Sequence, residues 1–93
     1  MVQIQFFSLL RMLLKQEQID LPAVEGETVA QLLERIQQQL PTPFLHKLID
    51  DDGSMHAGTI ILINRQNIHH LDGLQTTVRD ADVVAMFPPG AGG

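Results

Sequence analysis

The chain ends Phe87-Pro88-Pro89-Gly90-Ala91-Gly92-Gly93, and the group in this run with reactive potential is the terminal carboxylate of Gly93. A carboxylate is a poor electrophile, because its charge repels nucleophiles and its oxygen is a bad leaving group. It takes part in group transfer only after another molecule has activated it. What the neighbouring residues supply is access. The six residues beyond Phe87 extend about 20 Å at roughly 3.3–3.6 Å each, enough to cross the wall of a partner protein. A Cβ at Gly92 or Gly93 would thicken this thread where a partner's backbone closes on it, and Ala91 is small for the same reason. Pro88 and Pro89 cannot extend a β-ladder, and they stiffen the base of the thread, which lowers the ordering cost of docking. A bare Gly-Gly is also what an inert chain end looks like; the Phe-Pro-Pro exit from an apolar strand sets this one apart. Phe87 reads equally as a core strand residue or as an anchor facing a partner, and the two roles are compatible at a sheet edge.

The other candidates carry less. His69 and His70 are adjacent, so on a strand they point to opposite faces and do not share a metal. Asp50, Asp51 and Asp52 lack the alternating ligands and distant glutamate of a calcium loop, and read as a solvated turn. Met12, Met55 and Met86 read as core filler, and Arg65 and Arg79 as solubilising charge. No metal site and no bound cofactor are expected. The chain has no cysteine, which excludes disulfides, thiolate zinc sites and cysteine nucleophiles together and points to a cytoplasmic protein. Six Lys plus Arg against eleven Asp plus Glu give a formal charge of −5, and the four aromatic residues are all Phe. Nucleic acid is a poor match, since it needs clustered cations and exposed rings in a basic groove. A basic protein surface suits this balance better. The apolar stretch 6–14 is broken by Ser8 and Arg11 and falls short of the about 20 apolar residues of a membrane span.

A thread of this kind needs a rigid body behind it, and 93 residues with 44% hydrophobic content make one domain, 1–87, followed by a flexible tail, 88–93. Val2, Ile4 and Phe6 alternate with Gln3 and Gln5, which predicts a half-buried strand starting almost at once. Ser8 is placed to cap a short helical turn through Leu9, Leu10, Met12 and Leu13, and 16–21 alternates again as a second strand. Thr28 precedes Val29, Leu32, Leu33, Ile36 and Leu40, spaced three and four apart on one face of a helix; Thr28 with Gln31 fits a capping box, and Pro41 stops the helix. Thr42 and Pro43 predict a second, short helix with Phe44, Leu45, Leu48 and Ile49 as its apolar face. The β-branched run 59–63 predicts a central strand buried on both faces, 68–71 a short edge strand, and 83–87 the last strand. The class that follows is α+β, a mixed four- to five-stranded sheet curled over one main helix, with the first and last strands side by side in its middle.

Taken together, the opening Val2 to Phe7 with Leu10 and Arg11, the helix start GETVAQLL, the segment ILINRQNIHHLDGL and the ending DADVVAMFPPGAGG resemble the MoaD/ThiS-type sulfur carriers, which share the β-grasp fold of ubiquitin. The resemblance covers the whole chain and is closest to the longer, archaeal-type molybdopterin synthase small subunits. Its specific part is the ending: an aspartate turn, a hydrophobic strand, Phe-Pro-Pro and a final Gly-Gly in order. The chain departs from the family at Ala81, where glycine is usual, so that turn either tolerates a Cβ or is strained. It departs again at Gly90, where a β-branched residue is usual, which loosens the tail before docking. The resemblance implies a carrier rather than an enzyme. A ubiquitin-activating-type adenylyltransferase would join Gly93 to AMP using ATP, and a persulfide sulfurtransferase would supply sulfur to give a Gly93 thiocarboxylate. A sulfur-accepting synthase, such as the molybdopterin synthase large subunit, would take the sulfur. Phe87, Pro88, Pro89, Gly90, Ala91 and Gly92 would be the partner-binding residues. Molybdopterin or tungstopterin synthesis is the first destination; delivery to cysteine, thiazole or tRNA, a modifier joined to lysines through Gly93, and a plain interaction module are the alternatives.

Overall fold

The computed structural model describes residues 1–90. Strand β1 (Val2–Phe6) alternates buried and half-buried residues, as its sequence period requires. A short helix, α1 (Leu9–Leu14), turns the chain back into β2 (Gln18–Leu21), which pairs antiparallel with β1, Val2 opposite Leu21. The main helix α2 (Val29–Gln39) buries Val29, Leu32, Leu33 and Ile36. Its capping box is present in both directions: Gln31 N donates to Thr28 Oγ1 at 3.2 Å and Thr28 N donates to Gln31 Oε1 at 3.0 Å. After β3 (Ile60–Ile63) and β4 (Gln66–Asn67), the chain returns through β5 (Val83–Phe87) to the middle of the sheet. The order is β2-β1-β5-β3-β4, with β1 and β5 parallel and every other pair antiparallel.

The core lies between one face of this sheet and α2. Ile4, Phe6, Ile61, Val84 and Met86 are fully buried against Leu32, Ile36, Phe44 and Leu48. Phe6 and Phe44 meet edge to face, with centroids 6.3 Å apart. At the rim of this core Glu27, 7% exposed, is held by the guanidinium of Arg35, which donates from Nε and Nη2 to its two oxygens at 2.9 Å each and from Nη2 to the Pro22 carbonyl at 2.7 Å. The hydrogen bond to Glu27 holds the guanidinium above its ordinary pKa. This pair pins the loop after β2 onto α2.

Four sequence expectations are corrected. Ser8 does not cap α1: it sits at φ 53°, ψ −132°, with no side-chain capping bond, because the chain reverses sharply there and the first amides of the helix reach Phe7 and Ser8 carbonyls instead. Nor does Thr42 cap the next turn, which is a single 3-10 turn at Leu45–Lys47; Gln37 Oε1 accepts from the amides of Phe44 and Leu45 at 2.7 and 3.2 Å and occupies that role. Strand β3 is buried on one face only, with Ile61 and Ile63 inward and Ile60 42% exposed, since among the described residues no second layer covers the sheet's other side. The run 68–71 is no strand: Asn67 Oδ1 accepts from His69 N at 2.9 Å and starts a 3-10 turn, Ile68–His70. The strand ends at Asn67 for that reason, after a tight hairpin in which Asn64 and Arg65 both take left-handed backbone.

Candidate functional site: the base of the C-terminal tail

Strand β5 is anchored on both sides up to its last residue. Phe6 pairs with Met86 in β1, Phe87 pairs with Ile60 in β3, and Phe7 N donates to the Met86 carbonyl at 3.1 Å. Pro88 then has no N–H to continue either ladder, so the chain leaves the sheet from its centre. Leaving does not mean that it is free at once. Pro88 is buried, and Pro89 lies against Gly58: a Cβ added at Gly58 would stand 3.5 Å from the Cβ of Pro89. Gly58 holds φ at +90°, a conformation that side chains rarely adopt, and so brings the backbone beneath the proline. Gly90 is exposed, with open space where a Cβ would point. Ala91, Gly92 and Gly93, the residue on which the sequence expectation places the chemistry, lie outside the described residues.

Phe87 occupies the sheet's uncovered face rather than the core. Its ring stacks on that of Phe7, 4.5 Å between centroids and 9° between planes, and the Arg11 guanidinium lies 5.2 Å from the Phe7 centroid. Arg11 is tethered there by donation from Nε to the Phe6 carbonyl at 3.1 Å and by a 3.5 Å ion pair with Glu17. Phe7, Phe87, Leu62, Ala85 and Val83 therefore form an apolar patch beside the tail base, with Gln3, Gln5, Asn64 and Arg65 as its polar border. Half-buried aromatic rings on an open sheet, next to a chain exit, are the kind of surface on which protein contacts form.

The remaining sequence candidates lie elsewhere. His69 and His70 are exposed on the 3-10 turn. The acidic run is a turn organised by its own groups: Asp52 Oδ1 accepts from Ser54 N at 3.0 Å, a bond that lowers the Asp52 carboxyl pKa, and Asp50 pairs with His56. Among the described residues no three His, Asp or Glu side chains are placed to hold a metal, and no helix is long and apolar enough to cross a membrane. Met86 fills the core and Met55 packs at its edge, whereas Met12 is 72% exposed and corrects the reading of all three as filler. Gly58, Phe7 and Glu27 were missed as positioning residues. For Phe7 the signal was present in the adjacent Phe6-Phe7 pair, whose two rings must face opposite sides of a strand.

A mixed sheet that grasps one helix, with its last strand central and a proline-gated tail leaving that strand, defines a ubiquitin-like β-grasp protein of the carrier and modifier type. The model of the ThiS family matches residues 4–93, and the chain belongs to that family. Small archaeal modifier protein 3 of Haloferax volcanii is 29% identical over 92 residues, 99% of this chain and 98% of its own. The solution structure of small archaeal modifier protein 1 from Methanosarcina acetivorans is 29% identical, with a TM-score of 0.78 over 99% of this chain and 95% of that one. The crystal structure of the Amycolatopsis orientalis BexX/CysO complex contains a chain of the same fold, 20% identical, with a TM-score of 0.81 and full coverage of both chains.

Proposed function

We propose that this protein is a cytoplasmic sulfur carrier whose Gly93 carboxylate is adenylated by a ubiquitin-activating-type enzyme and converted to a thiocarboxylate. The carboxylate oxygen attacks the α-phosphorus of ATP and releases pyrophosphate. A persulfide from a sulfurtransferase then attacks the acyl carbon and expels AMP, and a partner thiol cleaves the resulting acyl disulfide to leave the thiocarboxylate. The carrier itself contributes no acid, base or metal to these steps; it contributes position. The observation that carries this reading is the exit of the tail from a central strand of a ThiS-family fold, with Pro88 and Pro89 seated on the body and small residues beyond them. Sulfur delivery to molybdopterin or tungstopterin synthesis is the destination supported by the resemblance of the 80–93 segment to molybdopterin synthase small subunits.

A second reading, a protein modifier joined to lysines through Gly93, is favoured by the names of the Haloferax and Methanosarcina relatives, both small archaeal modifier proteins. One experiment separates the two. Incubation with the cognate activating enzyme, ATP and a persulfide donor raises the intact mass by about 16 Da, the exchange of one oxygen for sulfur at an activated carboxyl. Lysine conjugates without that mass change favour the modifier, and neither product removes both readings.

A further inference from the structure

The tail base has a second neighbour, on the helical side of the sheet. An open groove runs between α1 and the Leu45–Lys47 turn, with Leu9, Met12 and Leu13 along one wall and Pro88 to Gly90 closing one end. Helix α1 commits Leu10 and Leu14 to the core but turns Leu9, 44% exposed, and Met12, 72% exposed, toward solvent. A helix of a small protein has little reason to leave two large apolar side chains uncovered beside each other unless something covers them. Methionine is also the apolar residue that adapts most easily to differing contact shapes.

Lys47 gives this groove a local positive charge in a chain that is negative as a whole. The sequence carries eleven Asp plus Glu against six Lys plus Arg, yet Lys47 lines the groove beside His46 and His56, and the Asp50 carboxylate that reaches this wall is taken up by His56. His56 is fixed at the rim, with Nδ1 2.7 Å from Asp50 Oδ1 and Nε2 2.7 Å from the His46 carbonyl. Lys47 has no ion pair among the described residues.

We propose that this groove docks an amphipathic segment of a partner protein, apolar along one side and carrying Asp or Glu on its flank. Burial of Leu9 and Met12 supplies the attraction, and pairing with Lys47 sets the orientation. Because Pro88 to Gly90 form both the end wall of the groove and the start of the thread, a partner seated there is held beside the tail. Together with the Phe7 and Phe87 patch, this gives the tail base a docking surface on each side of the sheet. The proposal concerns where a partner sits and does not depend on which reaction Gly93 undergoes.

The test uses the full chain, isotope-labelled for NMR, and two synthetic amphipathic peptides with leucines three and four apart, one flanked by glutamates and the other by lysines at the same positions. The glutamate peptide is expected to shift the amides of Leu9, Met12, Leu13, Lys47 and Gly90, and to bind about tenfold more tightly than the lysine peptide. Met12→Lys, at an exposed position that leaves the core intact, abolishes the shifts, and Lys47→Glu reverses the preference between peptides. No shifts at saturating peptide, shifts confined to the open sheet face, equal binding of both peptides, or a second copy of the chain occupying the groove would each overturn the proposal.

Discussion

Ala81 occupies left-handed backbone, φ 73°, in the turn that feeds β5. The turn is held on several sides: Ala81 N donates to the Met1 carbonyl at 2.9 Å, and the Asp82 carboxylate accepts from Arg79 N at 2.8 Å and from Asn64 Nδ2 at 2.9 Å. The surroundings thus impose a conformation in which a Cβ crowds the following carbonyl. Ala81→Gly is expected to raise the free energy of unfolding by about 0.5–1 kcal/mol, the relief of that crowding less the added freedom of the unfolded chain. Chemical denaturation measures it, and a loss of stability would show that the methyl group is satisfied where it is. Alanine where the resembled family has glycine leaves the sequence reading between a turn that tolerates a Cβ and a strained one, and the positive φ favours the second. Gly58 was not legible, because a glycine before a β-branched run reads only as a boundary; its contact with Pro89 exists only once β3 and β5 are paired.

Among the elements, those whose reasons lie within a few residues were readable. Helix α2 announces itself through a three-and-four spacing and a capping box, and β1 through strict alternation. Two of the errors share one cause, a backbone amide satisfied by a side chain that local pattern does not connect to it. Gln37 reaches Phe44 and Leu45 from the previous helix, and Asn67 diverts the chain into a turn where alternation continued on paper. The ion pair of Glu27 and Arg35 also escapes local pattern, since it joins two side chains, one on a loop and one on a helix eight residues on. Arg35→Ala is expected to destabilise the fold by about 3 kcal/mol, because it leaves the Glu27 carboxylate buried without its partner. Combining it with Glu27→Gln recovers most of that loss, as read by urea denaturation; a double variant no more stable than Arg35→Ala alone would mean that the guanidinium acts through packing and the Pro22 carbonyl instead.

At the scale of the whole molecule, the proposed function asks for a fixed body from which the chain end is offered to a partner. Placing β1 and β5 in the middle of the sheet, in parallel, puts the exit of the chain where hydrogen bonds hold it from both sides, and the two prolines seat its first step on the surface. On the proposed function the body's role is mechanical, and the residues that carry that reading crowd into the last segment. The claim at the centre is that Gly93 serves chemistry and contributes nothing to folding. The direct test is to compare the chain with one lacking Gly93, following thermal unfolding and, after treatment with activating enzyme, ATP and a persulfide donor, the intact mass. The account predicts coincident melting curves and a gain in mass for the complete chain alone. A shortened chain that unfolds at a clearly lower temperature, or that still takes up sulfur, would contradict it.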